Sequence, residues 1–364
     1  MLVMNRFFLL INISLLLISC NSERGTQEKK VFRYNSSNGI TSLDPAFART
    51  QENIRAVNQL FNGLVQLDDS LNVIPCIAKE WTISEDGLVY TFTLRNDVFF
   101  HKHQIFNDVP RKVIGSDFAY SFNRIISPQT ASDGAWIFNG IVSKNNPFEA
   151  PNDTTFRITL SKPYAPLISM LTMAYCYVVP KDAVEKFGDS FGKTPIGTGP
   201  FRFANWQEGI KLNFISNADY FETERKPKID ALSISFIQSK QTELLEFIQG
   251  KLSVFSGIES SFKDEILNAE GELNSKYSNE FNLRKYPFLN TEYLAFNLED
   301  NSSIIQHKEI RKAMSLAVDR ASMTKFLRNN VGIPSNGGFI PTGLPSHYTY
   351  TQPTFNVDSA KKIL

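Results

Sequence analysis

The clearest pattern of apolar and polar positions lies between residues 78 and 128. After residue 88 the side chains alternate, with Tyr90, Phe92 and Leu94 on one side, and the pair Asp86-Gly87 precedes them. Alternation is typical of a half-buried strand, and an Asp-Gly pair tolerates the positive φ of a hairpin turn. The pattern therefore predicts a β-hairpin.

A helix is predicted directly after this hairpin. Ser116 is a candidate N-cap, Phe118, Phe122 and Ile125 follow at helical spacing, and Pro128 ends the run. The same reasoning predicts further elements along the chain. They are strands at 31–35, 155–160, 253–257 and 293–298, a long apolar strand or helix at 167–180, helices around Ile54–Phe61, 239–249 (with Gly250 after it) and Ile310–Ala317, and a last helix capped by Asp358 or Ser359.

Residues 1–20 have the pattern of a lipoprotein export signal. Arg6 is followed by an apolar run of about 12 residues, which is shorter than the roughly 20 needed to span a bilayer. Cys20 is then the predicted lipid-bearing N-terminus, with an ordinary cleaved signal as the alternative. Residues 21–30 are polar and predict a tether. We expect a periplasmic or cell-surface location, anchored to the membrane through Cys20.

The charge balance excludes broad electrostatic capture of a partner. The chain has 38 Lys and Arg and 37 Asp and Glu, and removing residues 1–20 removes only Arg6, which leaves 38 − 1 = 37 of each sign. A neutral surface argues against nucleic acid as a partner. Cys76 and Cys176 lie in apolar runs, so buried free thiols are favoured over a disulfide between them.

The sequence contains no motif that predicts catalysis. No nucleophile elbow, zinc-protease motif, phosphate loop or Cys-x-x-Cys is present, so the prediction is a protein that is not an enzyme and uses no cofactor. His101 and His103 are too few for a metal site, and a solvated turn is favoured. The segment Gly197–Gly199 predicts a tight turn. For Trp136 two interpretations stay open, packing between domains and a place in the wall of a ligand cleft.

Three blocks of the sequence resemble one protein family. The first contains WTISEDGLVYTFTLR from Trp81, then Phe100-His101, then DFAYSFNR from Asp117; the others span 195–221 and 292–323. Their order is similar to that of the family 5 extracellular solute-binding proteins, the oligopeptide and dipeptide receptors of ABC importers. Lys102 and His103 replace the family's usual Asp-Gly, so the local hairpin departs from the pattern.

The resemblance implies a fold class and a division into domains. The expected fold is mixed α/β, a two-lobed periplasmic binding protein fold of class II type with an inserted accessory domain. The expected parts are a signal (1–20), a tether (21–30), a discontinuous lobe I (31–66 and 162–284), the accessory domain (67–161) and the start of lobe II (285–364). The chain ends within a predicted helix, and a C-terminally truncated second lobe is expected.

The resemblance also implies a function. A monomeric receptor is expected to enclose an extended peptide between its lobes and to deliver it to an ABC permease in the membrane. The alternatives are a nickel, haem or sugar receptor on the same fold, or a surface hydrolase.

The family positions that fall on this sequence give a set of expected ligand contacts. They are Arg49, Thr50 and Gln51 after the Ser-Leu-Asp-Pro motif, Ser256 and Gly257 in a cleft loop, and Tyr293 in a crossover segment. Trp136 is added to this set as a candidate residue of the cleft wall, not from a family position. Each has an alternative: the first three as a helix-entry loop, Trp136 as domain packing, Ser256 and Gly257 as a turn, and Tyr293 as a strand residue facing the core.

Overall fold

A computed structural model of the protein describes residues 29–258, 262–286, 288–335, 338–341, 343–344, 347–348 and 354–364. The export signal, Cys20 and the tether up to residue 28 lie outside the described residues. Contacts divide the chain into two units, Met1–Phe255 (unit 1) and Ser256–Leu364 (unit 2). Each unit is described by itself.

Unit 1 is built from short strands and helices, numbered in chain order. The strands are β1 (Val31–Asn35), β2 (Val65–Leu67), β3 (Val73–Pro75), β4 (Ala78–Ile83), β5 (Val89–Leu94), β6 (Phe148–Asn152), β7 (Thr155–Thr159), β8 (Phe201–Gln207), β9 (Lys211–Ser216) and β10 (Ala231–Ser235). The helices are α1 (Gln51–Leu60), α2 (Gly115–Ile126), α3 (Leu167–Met170), α4 (Lys181–Phe187) and α5 (Lys240–Ile248).

These strands form two four-stranded sheets and one hairpin. One sheet has the order β1-β10-β9-β8, in which β1 is parallel to β10 and the other pairs are antiparallel. The other has the order β4-β5-β7-β6 and is antiparallel throughout. The predicted hairpin is β4-β5, and Tyr90, Phe92 and Leu94 are buried as their alternation predicts.

Helix α2 forms where the sequence predicts a helix, but its first turn is capped differently. Ile114 is the N-cap, and the Asp117 carboxylate accepts a hydrogen bond of 2.9 Å from its backbone N–H. Ser116 lies inside the first turn, so the prediction that it caps the helix is wrong. Phe118 and Phe122 point into the core, and the helix ends two residues before Pro128.

One hydrophobic core runs through unit 1. Phe122 packs against the rings of Phe138, Phe148 and Phe156 at centroid distances of 5.2, 5.5 and 5.2 Å. The same core continues to Ile234 in the β1-β10-β9-β8 sheet. The predicted boundaries of lobe I and the accessory domain both fall within this core, and the division stays a prediction.

Two predictions for the middle of unit 1 have clear outcomes. Residues 167–180 do not form one long element: α3 and a 3-10 turn at Ala174–Cys176 replace it, because Pro166 and Pro180 bound the segment and Cys176 is anchored in the core. The predicted free thiols are confirmed, since Cys76 and Cys176 are both buried and unbridged. Burial raises the pKa of the Cys76 thiol to about 12.

Unit 2 contains α6 (Lys263–Ile266), α7 (Lys308–Leu316), α8 (Arg320–Arg328) and α9 (Val357–Ile363) among its described residues. Ala313 and Leu316 of α7 pack against Ala360 of α9. The N-cap of α9 is Asn356, whose side chain accepts from the Ser359 N–H at 2.8 Å. The prediction of an Asp358 or Ser359 cap is wrong because both residues lie in the first turn.

The two strands predicted after residue 250 do not form. Ser253 is joined to the edge strand β1 by two hydrogen bonds, because its N–H donates to the Arg33 carbonyl at 2.7 Å and its hydroxyl accepts from the Arg33 N–H at 3.0 Å, and no ladder follows among the described residues. Residues 293–298 are irregular. A strand exists only through a hydrogen-bonded neighbour, and the described part of unit 2 holds no ladder that could supply one.

His101 joins the accessory segment to the Gly197–Gly199 segment. Its Nδ1 accepts from the Gly197 N–H at 3.3 Å, so the neutral ring donates from Nε2 to the Gly199 carbonyl at 3.0 Å. The ring is buried, and the prediction of a solvated turn is therefore wrong at this residue. Burial lowers the pKa of His101 to about 4.

The buried His101 predicts a loss of stability in mild acid. The unfolded chain takes up a proton near pH 6.5, whereas the folded ring stays neutral down to about pH 4. The neutral His101 ring contributes its full share to the free energy of unfolding above pH 6.5. We therefore expect the free energy of unfolding to fall by about 3 kcal/mol as the pH drops to about 4. Urea unfolding at several pH values measures this. In the His101→Gln variant the free energy of unfolding should change less with pH between about 6.5 and 4. If the variant keeps the pH dependence of the parent protein, His101 is not the buried neutral group responsible for it.

Candidate functional site

The candidate site lies at the N-terminus of helix α1, where the expected contacts Arg49, Thr50 and Gln51 are found. The Thr50 hydroxyl accepts from the Asn53 N–H at 3.3 Å and caps the helix. The Gln51 side chain accepts from Arg55 at 3.1 Å. Arg49 has a side chain that is 74% exposed. Thr50 therefore has a structural task as a helix cap, while the guanidinium of Arg49 is open to solvent.

A second segment, residues 131–138, packs beside this helix start. The Arg49 Nη1 and the Asp133 Oδ1 are 3.6 Å apart, and the Ser132 hydroxyl donates to the Ala46 carbonyl at 2.6 Å. Gly134 lies against the ring of Tyr175, where a Cβ atom would come within 2.5 Å of the ring. These contacts join the two segments, and the exposed side chains of Arg49, Asp133 and Trp136 there are called the Arg49 face below.

Trp136 is the large apolar side chain of the Arg49 face. It lies on the 3-10 turn Ala135–Ile137 and is 54% exposed, whereas the next residue, Ile137, is fully buried. The turn is thus anchored through Ile137 and presents the indole to solvent. Ala131, which starts the segment, has a φ of 48°, a left-handed conformation that costs a non-glycine residue about 1–2 kcal/mol.

A buried ion pair lies at the turn that precedes Arg49 in the chain. Arg124 of α2 makes two hydrogen bonds to Asp44, of 2.8 and 2.5 Å, and the two side chains are 14% and 3% exposed. Asp44 also caps the turn Pro45–Phe47 by accepting from the Ala46 N–H. Both residues stand in sequence motifs of the family, but nothing in their local pattern indicates that they pair, because 80 residues separate them.

The remaining expected contacts, Ser256, Gly257 and Tyr293, belong to unit 2. Ser256 and Gly257 begin unit 2, and Gly257 has a φ of 69°, as expected for a turn. Tyr293 is 65% exposed and packs edge-on against Phe339 at 4.9 Å. It is not a strand residue facing a core. The contribution of these three residues to a site stays a prediction.

The two histidines considered as metal ligands do not converge. His101 is bonded to the Gly197–Gly199 segment, while the His103 Nδ1 accepts from the Ile105 N–H at 3.1 Å. Within the described residues no group of three His, Cys, Asp or Glu side chains is placed to hold a metal ion. The Arg49 face instead combines an exposed cation, an exposed anion and an indole. Such a surface is suited to recognising a polar ligand without reacting with it.

The family assignment rests on a match over most of the chain. The family model described as bacterial extracellular solute-binding proteins, family 5, middle, matches residues 72–364. The chain belongs to this family. The resemblance predicted from the three sequence blocks is thereby confirmed, and none of the helices in the described part of this family 5 chain is long and apolar enough to cross a membrane.

Curated relatives of the family 5 chain include two named for dipeptides. It is 26% identical to the dipeptide-binding protein of Escherichia coli (strain K12) over 318 residues, which is 84% of this chain and 57% of the relative. It is 24% identical to the dipeptide-binding protein DppE of Bacillus subtilis (strain 168) over 347 residues, or 90% and 58% of the two chains. The chain thus spans less than two thirds of the length of either relative.

Solved structures confirm the fold class. The periplasmic binding protein DppA from Helicobacter pylori, in complex with the peptide STSA, matches with a TM-score of 0.76 at 23% identity, covering 93% of this chain and 66% of that one. HbpA2 from Haemophilus parasuis matches with a TM-score of 0.75 at 24% identity, covering 92% and 66%. The predicted mixed α/β fold of the two-lobed periplasmic binding protein class is therefore correct.

Proposed function

We propose that the protein is the substrate-binding receptor of an ABC importer and that it captures extended peptides. The observation that carries the proposal is its membership of family 5 together with two relatives named for dipeptide binding. Delivery of the peptide to a permease, a lipid anchor on Cys20 and a monomeric state belong to the same proposal. No covalent step is involved, and ligand release depends on a hinge motion.

The Arg49 face is the proposed ligand surface of unit 1. Arg49 and Asp133 form a single-contact ion pair that is largely solvated, so either charge can turn to a peptide at little cost. Trp136 offers an exposed indole held on an anchored turn, which is the kind of side chain that contributes strongly to binding. The backbone of an extended peptide supplies donors and acceptors whatever its sequence, which suits a broad substrate range.

The proposal predicts that Trp136 contributes to peptide affinity. Isothermal titration with the tetrapeptide STSA is expected to show binding to the purified protein, weakened about tenfold or more by Trp136→Ala. Arg49→Gln should weaken it less, because Arg49 is solvent-screened. Ile210→Ala is the control, since Ile210 is an apolar residue on the β8–β9 turn that is 64% exposed, against 54% for Trp136. If all three variants bind the peptide with equal affinity, the Arg49 face is not part of the peptide-binding site.

A further inference from the structure

Unit 1 contains a cavity of about 360 Å³ that is separate from the Arg49 face. It opens at the C-terminal end of α1, beside Asn58 and Asn62, whereas Arg49 precedes the N-terminal end of the same helix. A ten-residue helix is about 15 Å long, and this length separates the two places. The volume lies near the lower end of ligand pockets, about 300–1,000 Å³, which suits a small molecule better than an extended peptide.

The inner wall of the cavity is a chain of hydrogen bonds that ends in a carboxylate. Asn62 donates to the Tyr220 hydroxyl at 3.1 Å, and that hydroxyl donates to the Glu222 Oε2 at 3.1 Å. Gln66 donates to the Glu222 Oε1 at 2.7 Å. Burial and, secondly, the charge of Glu222 raise the pKa of Tyr220, so the phenol remains a donor. The Glu222 carboxylate is thus fixed in place, and each of its oxygens can accept a further hydrogen bond.

A cation borders the same cavity without neutralising this carboxylate. Arg225 lies three residues after Glu222, at the end of the 3-10 turn Thr223–Arg225, and its side chain is exposed. Neither Glu222 nor Arg225 has an ion-pair partner within 4 Å among the residues that the structure describes. Arg95, a nearby cation, is already paired with Asp97 through bonds of 2.9 and 2.7 Å. Arg225 also contributes, after hydrogen bonds from Asn72 and Ser70, to a lowered pKa of the exposed Asp68 carboxyl. One cavity therefore presents two opposite charges, neither of which is held in an ion pair within 4 Å among the described residues.

Apolar side chains complete the cavity. The ring of Phe61 is fully buried in its wall, and Leu67 and Pro200 border it. A ligand that matches the cavity carries an ammonium group for Glu222, a carboxylate for Arg225 and a short apolar group. A free α-amino acid with an aliphatic side chain has these three features at adjacent atoms.

We propose that this cavity is a second binding site, which takes a free aliphatic α-amino acid between Glu222 and Arg225. The site is independent of the proposed peptide surface. Its ligand contacts side chains from α1, β2 and the segment after β9, so binding ties these elements together and stabilises unit 1.

The test is an NMR titration of the purified protein with ¹³C-labelled L-leucine. Saturable binding is expected, and L-leucinamide and N-acetyl-L-leucine, each of which lacks one charge, should bind about tenfold more weakly or worse. Glu222→Gln and Arg225→Gln should each weaken L-leucine binding by a similar factor. Because Arg225 is exposed and unpaired, its variant should unfold at the same temperature as the unmodified protein.

Three results would contradict the proposal of a second binding site. They are the absence of L-leucine binding, affinities that neither variant changes, and displacement of L-leucine by the peptide STSA, which would place the amino acid on the peptide surface. Trp136→Ala is the matched control, because it should weaken the peptide and leave L-leucine unaffected. A protein that binds L-leucine but no peptide would contradict the peptide receptor proposal while supporting this site.

Discussion

Gly197→Ala is expected to lower the free energy of unfolding of unit 1 by about 3 kcal/mol or more. A Cβ atom at Gly197 would lie 1.9 Å from the Leu60 carbonyl oxygen and 2.7 Å from its carbon. That carbonyl already accepts from the Gly199 N–H at 2.8 Å, and Gly197 is itself bonded to His101. The crowding is against backbone, so it is relieved only by moving α1 away from the glycine segment.

Gly140→Ala is the control that distinguishes the cost of steric crowding from the cost of an unfavourable backbone conformation. Gly140 has a φ of +75°, and a Cβ atom added there would meet no other atom within 4 Å, so its replacement should cost only about 1 kcal/mol. Chemical unfolding followed by circular dichroism measures both variants. Equal losses for the two, or a Gly197 variant as stable as the parent protein, would contradict the close approach of α1 and the glycine segment.

Asp44→Asn is expected to destabilise unit 1 by about 3–5 kcal/mol, because it leaves the Arg124 guanidinium buried without a counter-charge. The substitution also weakens the cap of the turn Pro45–Phe47, whose Phe47 carbonyl accepts from the Arg49 N–H at 2.8 Å. Peptide affinity should therefore fall together with stability. Thermal unfolding and peptide titration of the same preparation measure the two effects.

A surface ion pair provides the comparison for Asp44. Lys193 and Glu208 are hydrogen-bonded but 57% and 64% exposed, so Glu208→Gln should change the unfolding free energy by less than about 1 kcal/mol. If Asp44→Asn and Glu208→Gln have similar effects, the Asp44–Arg124 pair is not the buried anchor that the structure indicates.

Local patterns predict the elements that depend on local chemistry. The β4–β5 hairpin follows from alternation around an Asp-Gly turn, and α5 follows from helical spacing between Ser239 and Gly250. In the structure Ser239 caps that helix by accepting from the Thr242 N–H at 3.3 Å. These features need no information from distant parts of the chain.

Predictions fail where distant residues decide the outcome. The apolar run after residue 167 resembles one long element, but its residues are drawn into the core in short pieces. A strand at 293–298 has suitable side chains but no described partner. The polar neighbours of His101 favour a solvated turn, whereas the Gly197–Gly199 segment, almost 100 residues later, buries the ring.

The candidate site is predictable only in part. Arg49 follows from the family resemblance, whereas the sequence leaves Trp136 open between domain packing and a cleft wall, and the structure exposes both side chains. The contact of Arg49 with Asp133 and the buried pair of Asp44 with Arg124 join segments about 80 residues apart, and periodicity carries no signal for such pairs.

The most direct test of the peptide receptor proposal is native mass spectrometry of the purified protein. We predict a distribution of bound masses in the range of short peptides, which disappears on denaturation and yields fragment spectra of peptides. A single metal or haem adduct, a sugar adduct, or a protein that carries nothing and takes up no peptide from a mixed peptide pool would contradict it.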